Sequence, residues 1–89
     1  EELVGTIAAR ARGVPCVQDV LALHVRQRGS WYLADLRIAV HPDHTLAKAH
    51  DIAHEAEDRV RAAVPKVSRV FVHIEPGRAD VDDPCGPVA

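Results

Sequence analysis

No run of apolar residues in this 89-residue chain reaches the roughly 20 that a membrane-spanning helix needs, although 47% of the residues are hydrophobic. The segment is therefore not expected to insert into a bilayer. A basic excess is missing too. Eleven Lys and Arg against thirteen Asp and Glu leave a formal net charge of −2 with six histidines counted neutral. Such a balance provides no field to gather nucleic acid or an anionic membrane surface. Cysteine is scarce: Cys16 and Cys85 stand far apart, the second in a Pro/Gly-rich tail. That placement fits neither a disulfide framework nor a CxxC zinc knuckle, and it predicts reduced thiols in a cytoplasmic setting. A Gly-rich phosphate loop and a nucleophile elbow are absent as well. One domain of this length has room for a small core only, which argues against an enzyme with a buried active site. The chain starts at Glu1 without a charged-then-apolar leader, and it reads as a piece of a longer protein.

What is present is a clean succession of two periods. Leu3, Val4, Ile7, Ala8 and Ala11 recur at helical spacing, with acids before them, arginines after them and Gly13 as a stop. From Val17 to Gln27 the period becomes two, with Leu21, Leu23 and Val25 on one side and Ala22, His24 and Arg26 on the other. Arg28, Gly29 and Ser30 make a turn into a second alternation, Trp31 to Val40. There Tyr32, Ala34, Leu36, Ile38 and Val40 oppose Trp31, Leu33, Asp35 and Arg37. The His41-Pro42-Asp43-His44 break leads to Thr45 as an N-cap and to a longer helix ending at Pro65, with Leu46, Ala49, Ala53, Ala56, Val60 and Val64 as its apolar stripe. A last strand, Val67 to Glu75, turns Val70, Val72 and Ile74 inward and Arg69, Phe71, His73 and Glu75 outward. The predicted fold is α+β, a two-layer sandwich in the order α-β-β-α-β, with a three-stranded sheet and two helices on one face. Residues 1–76 make the domain and 77–89 a disordered tail. The uncovered sheet face then carries Trp31, Leu33 and Phe71 among charged groups, which implies a partner, most simply a second copy of the chain.

The same alternation puts Asp35, His73 and Glu75 on that open face. A carboxylate and an imidazole that converge where two copies meet supply oxygen and nitrogen ligands suited to zinc, iron or manganese. The competing reading is a solvated polar face with a surface ion pair. His24 shares the outward parity and is a further candidate. On the second helix, His50 and His54 are four residues apart and share one stripe, able to reach one ion or simply to face water. His50-Asp51-Ile52-Ala53-His54 differs from the zinc-protease signature by Asp for Glu. With no third-ligand segment and no space for a substrate cleft, it does not indicate an enzyme. His41 and His44 flank a turn and are expected at the surface, Cys16 is expected as a small buried hydrophobe, and Cys85 is expected in the loose tail.

These residues, from Gly13-Val14 through the turn Gly29, the Asp35 strand, Pro42 and Ala49-His50 to the closing Val72-His73-Ile74-Glu75-Pro76, resemble the carboxy-terminal cytoplasmic domain of cation diffusion facilitator transporters over about residues 1–76. Within that family, Trp31-Tyr32-Leu33-Ala34-Asp35, His41-Pro42-Asp43-His44-Thr45 and Ala47-Lys48-Ala49-His50-Asp51-Ile52 look most like the magnetosome iron transporter branch. The resemblance implies a metallochaperone-like, non-enzymatic domain that forms a V-shaped homodimer beneath its own transmembrane domain, in an inner or magnetosome membrane. Divalent cations bound at the dimer interface close the V and favour transport. By position, Asp35 and His73 match central ligands, His50 a peripheral ligand, and Glu75 the acidic position after the last histidine. Leu33 replaces a Trp beside the peripheral site, and Leu21 and Arg37 stand where zinc exporters carry histidines, which puts a binuclear zinc site in doubt. The alternative function is a purely structural dimerisation module.

Overall fold

A computed structural model describes residues 2–81 and residue 85. Its elements follow the order α1 (Glu2–Arg12), β1 (Asp19–Arg28), β2 (Trp31–Val40), α2 (Leu46–Ala63) and β3 (Val67–Pro76). The sheet order is β1-β2-β3, with β1 antiparallel and β3 parallel to the middle strand β2. The antiparallel pair needs only a tight turn, whereas the parallel pair needs a crossover, which α2 supplies. Arg28 pairs with Trp31 across Gly29 and Ser30. Gly29, at φ 58°, holds the first central position of that hairpin, where a II′ turn requires positive φ.

The α2 N-terminus is set by Thr45, whose hydroxyl oxygen accepts from the Lys48 N–H at 3.1 Å. Its end is set by Pro65, and the last turn closes with the Val64 N–H donating to the Val60 carbonyl at 3.0 Å. Arg59 donates from Nη1 to the Gly13 carbonyl at 3.0 Å and so ties α2 to the exit of α1. Between the layers lie Ile7, Ala34, Leu36, Ile38, Ile52, Ala56 and Val60, all buried. Each Leu or Ile withdrawn from water in this way contributes about 1.5–3 kcal/mol.

Three details differ from the sequence reading. Leu21 does not share the inner face with Leu23 and Val25. A bulge between Val20 and Ala22 shifts the register, so Val20 packs on the core and Leu21 is 51% exposed. The buried stripe of α2 is Ile52, Ala56 and Val60, spaced by four, and Leu46 in the first turn is 91% exposed because the core does not extend beneath it. Past Pro76, the described part of the expected tail is held in place. The Gly77 N–H donates to the Val40 carbonyl at 2.6 Å, and the Gln18 side-chain amide brackets Arg78, accepting from its N–H at 2.7 Å and donating to its carbonyl at 2.9 Å. Residues 82–84 and 86–89, on which the rest of that expectation falls, lie outside the described residues.

Candidate metal centre

Because β2 and β3 are hydrogen-bonded neighbours and their side chains alternate, every second residue of each strand emerges on the face away from the helices. In the parallel register Arg37 pairs with His73 and Ala39 with Glu75, and long side chains reach diagonally. Asp35 Oδ1 lies 3.0 Å from His73 Nε2, and Arg37 Nη1 lies 2.8 Å from Glu75 Oε2. The Asp35 and His73 side chains are 43% and 52% exposed, so solvent screens the pair and a solute ion can reach it. Two atoms each about 2.1 Å from one metal, at an angle between 90° and tetrahedral, stand roughly 3.0–3.4 Å apart. The oxygen–nitrogen separation observed is compatible with that spacing, and equally with a direct carboxylate–imidazole hydrogen bond. His24 faces Asp35 from the other side in the β1–β2 register. A shallow depression of about 100 Å³ lies between His24, Leu33, Asp35 and Phe71.

The expected ligands are not gathered at one point within a single chain. Asp35 and His73 meet, while Glu75 is on the same face but engaged by Arg37. His50 belongs to the helix layer, where its Nε2 lies 3.0 Å from His54 Nε2 and the rings meet edge to face at 77°. Glu57 Oε1 stands 3.9 Å from His54 Nδ1, so that pair has a carboxylate within one turn.

Two expectations about other residues are corrected. His41, expected at the surface, is only 9% exposed, and its Nδ1 accepts from the Asp43 N–H at 3.1 Å, because the chain doubles back over it between β2 and α2. Cys16 and Cys85, expected to be unpaired, form a disulfide across 69 residues, with Cα atoms 4.7 Å apart. Cys16 is buried as expected. Among the described residues, the one set of three acidic, histidine or cysteine groups whose ligand atoms all lie within 4.8 Å of one another is Cys16, His44 and Cys85. Sequence reading missed this set, because nothing in a separation of 69 residues announces that the tail folds back to the α1–β1 connection.

Residues 1–77 match the family described as "Cation efflux protein, cytoplasmic domain". The chain belongs to this family. That family is described as a domain of cation efflux proteins and not as a class of enzymes. A probable cation efflux system protein of Mycobacterium tuberculosis is 39% identical to it over 62 residues, 70% of this chain and 19% of that protein. The magnetosome protein MamM of Paramagnetospirillum magneticum is 32% identical over 75 residues, 84% of this chain and 24% of that one. The manganese efflux system protein MneP of Bacillus subtilis is 28% identical over 60 residues, 67% of this chain and 20% of that protein. The domain therefore spans about a fifth to a quarter of these relatives. Among solved structures, a MamM CTD variant in a cadmium form superposes with a TM-score of 0.85 at 27% identity, covering 88% of this chain and 98% of that one. A nickel form of another variant gives 0.84 at 26% identity, covering 86% and 98%. The α+β sandwich and the kinship with cation diffusion facilitators read from the sequence both stand, and the MamM CTD fold is the metallochaperone-like one expected.

Proposed function

We propose that this domain pairs with a second copy of itself through the open face of its sheet, and that a divalent cation held by Asp35 and His73 from both copies draws the pair together to favour transport by the membrane domain of the same protein. The observation that carries the reading is the 3.0 Å approach of Asp35 Oδ1 to His73 Nε2 on a half-exposed surface where Trp31 and Phe71 are 54% and 46% exposed. A twofold pair apposes like patches, so each Asp35 meets negative charge from its mate and the empty pair stays splayed. Neutralising that charge favours the closed form, and a coupling of about 1–3 kcal/mol, typical of ligand-linked equilibria, suffices for a sensor.

Glu75 adds a carboxylate to the same face, and His50, with His54 beside it, forms a peripheral site on the helix layer. Zinc, iron and manganese all suit such oxygen and nitrogen donors. Support for divalent cations comes from the relative named for manganese efflux and from the MamM CTD variants in cadmium and nickel forms. The domain would lie on the cytoplasmic side of an inner or magnetosome membrane. Small-angle scattering tests the reading: added metal should shrink the wild-type dimer and leave Asp35→Ala and His73→Ala dimers unchanged. Equal compaction in all three would remove these residues as ligands.

A second reading, a dimerisation module without functional metal binding, draws on the fact that Asp35 and Glu75 already have partners in His73 and Arg37. Calorimetry with zinc, manganese and iron separates the two, since saturable heat that disappears in His73→Ala excludes the structural reading.

A further inference from the structure

Away from the sheet's open face, three chain segments converge on one spot: the α1–β1 connection with Cys16, the β2–α2 loop with His44, and the tail with Cys85. Cys16 is 6% exposed within the core cluster, and Cys85 packs against that cluster from outside. His44 Nε2 stands 3.9 Å from Cys85 Sγ. The β2–α2 loop is itself fixed, since the His44 N–H donates to the His41 carbonyl at 3.2 Å and Thr45 caps α2. The imidazole is thus carried on a braced segment and not on a free arm.

We propose that Cys16, Cys85 and His44 form a second metal site, for a thiophilic divalent cation of the zinc and cadmium type, open when the two cysteines are reduced and closed when they pair. Two thiolates and an imidazole are the donor set such ions prefer, and the fourth tetrahedral position is left to water or an exogenous ligand. With metal–sulfur bonds of about 2.3 Å and metal–nitrogen bonds of about 2.1 Å, the sulfurs in a tetrahedral site stand about 3.8 Å apart and each lies about 3.6 Å from the nitrogen. Ligand atoms already within 4.8 Å of one another need only small side-chain rotations to meet those spacings.

In a reducing compartment disulfides seldom persist, so the thiol form is the one a cytoplasmic domain presents. Opening needs a dithiol. It is oxidised to its own disulfide while the Cys16–Cys85 bond is reduced, and its two hydrogens end on the two cysteine sulfurs. Metal binding then releases both thiol protons. The site stands apart from the Asp35–His73 reading and does not depend on it.

Cadmium is the probe, because its thiolate complexes absorb in the ultraviolet. The 89-residue chain, reduced with a dithiol and desalted without air, should develop a saturable thiolate-to-cadmium band, whereas the disulfide form should develop none. Reduced His44→Ala should bind cadmium at least tenfold more weakly, since losing a direct ligand costs no less than losing an outer-shell partner. Reduced Cys85→Ser should lose the band while keeping its far-ultraviolet dichroism. That variant carries the test because Cys16 is in the core and Cys16→Ser is liable to unfold. The double variant Asp35→Ala/His73→Ala should keep the band. No band in the reduced wild type, a band undiminished in Cys85→Ser, or unchanged affinity in His44→Ala would each overturn the proposal.

Discussion

Glu75 is the residue whose role depends most on a neighbour. Its Oε2 sits 2.8 Å from Arg37 Nη1, so a cation taken up at the proposed site would compete with a guanidinium for that carboxylate. With the Arg37 and Glu75 side chains 56% and 38% exposed, solvent weakens the pair to about 0.2–1 kcal/mol. Arg37→Ala should therefore tighten divalent-cation binding by about fivefold or less in calorimetry, and an unchanged affinity would take Glu75 out of the site. Neighbourhoods like these were partly legible beforehand. The sequence located the turn at Arg28, Gly29 and Ser30, but it is the pairing of Arg28 with Trp31 across only two residues that puts His24 opposite Asp35. The diagonal reach of Asp35 to His73, and of Arg37 to Glu75, needed the parallel β2–β3 register, which no local sequence signal fixes.

Among the described elements, β2 matters most because it is the strand paired on both edges, and Ala34, Leu36 and Ile38 from it are completely buried. Leu36→Ala should lower unfolding stability by about 2–5 kcal/mol in a denaturant titration, the cost of a cavity that a sheet bonded on both sides cannot close. A loss below 1 kcal/mol would show that the two layers are less tightly packed than Leu36 implies. Alternation with period two was enough to locate β2 and β3, since both faces of each strand differ in polarity. In β1 the alternation breaks at Leu21. An extra residue at a bulge reverses parity on one side of it, and a hydrophobic side chain left outside carries no mark that distinguishes it from one inside. The phase of α2 was harder to read because alanines dominate it. Ala49, Ala53 and Ala56 contribute similar small areas in several rotations, and the larger Ile52 is what settles the buried side.

At the scale of the molecule, a three-stranded sheet with both helices on one side is a half-covered structure. Its inner face supplies the core, while its outer face presents Phe71, about half exposed, beside the Asp35–His73 pair, and Trp31, likewise half exposed, at the hairpin end of β2. Aromatic side chains in such a position are strong association points, because they bury large areas with few rotatable bonds. Phe71 pairs in register with Asp35, so an interface that uses the aromatic also brings the acid toward its symmetry mate. Phe71→Asp should break the pair in two ways, by removing apolar area and by adding a carboxylate beside Asp35. Since Phe71 contributes little to the core of its own chain, the variant should keep its dichroism spectrum and nearly its melting temperature, and yet sediment as a monomer. Divalent cation should then bind it more weakly than the wild type, because only one copy remains to supply ligands. Should Phe71→Asp sediment as a dimer with undiminished metal affinity, the copies meet elsewhere, and Asp35 and His73 serve one chain alone.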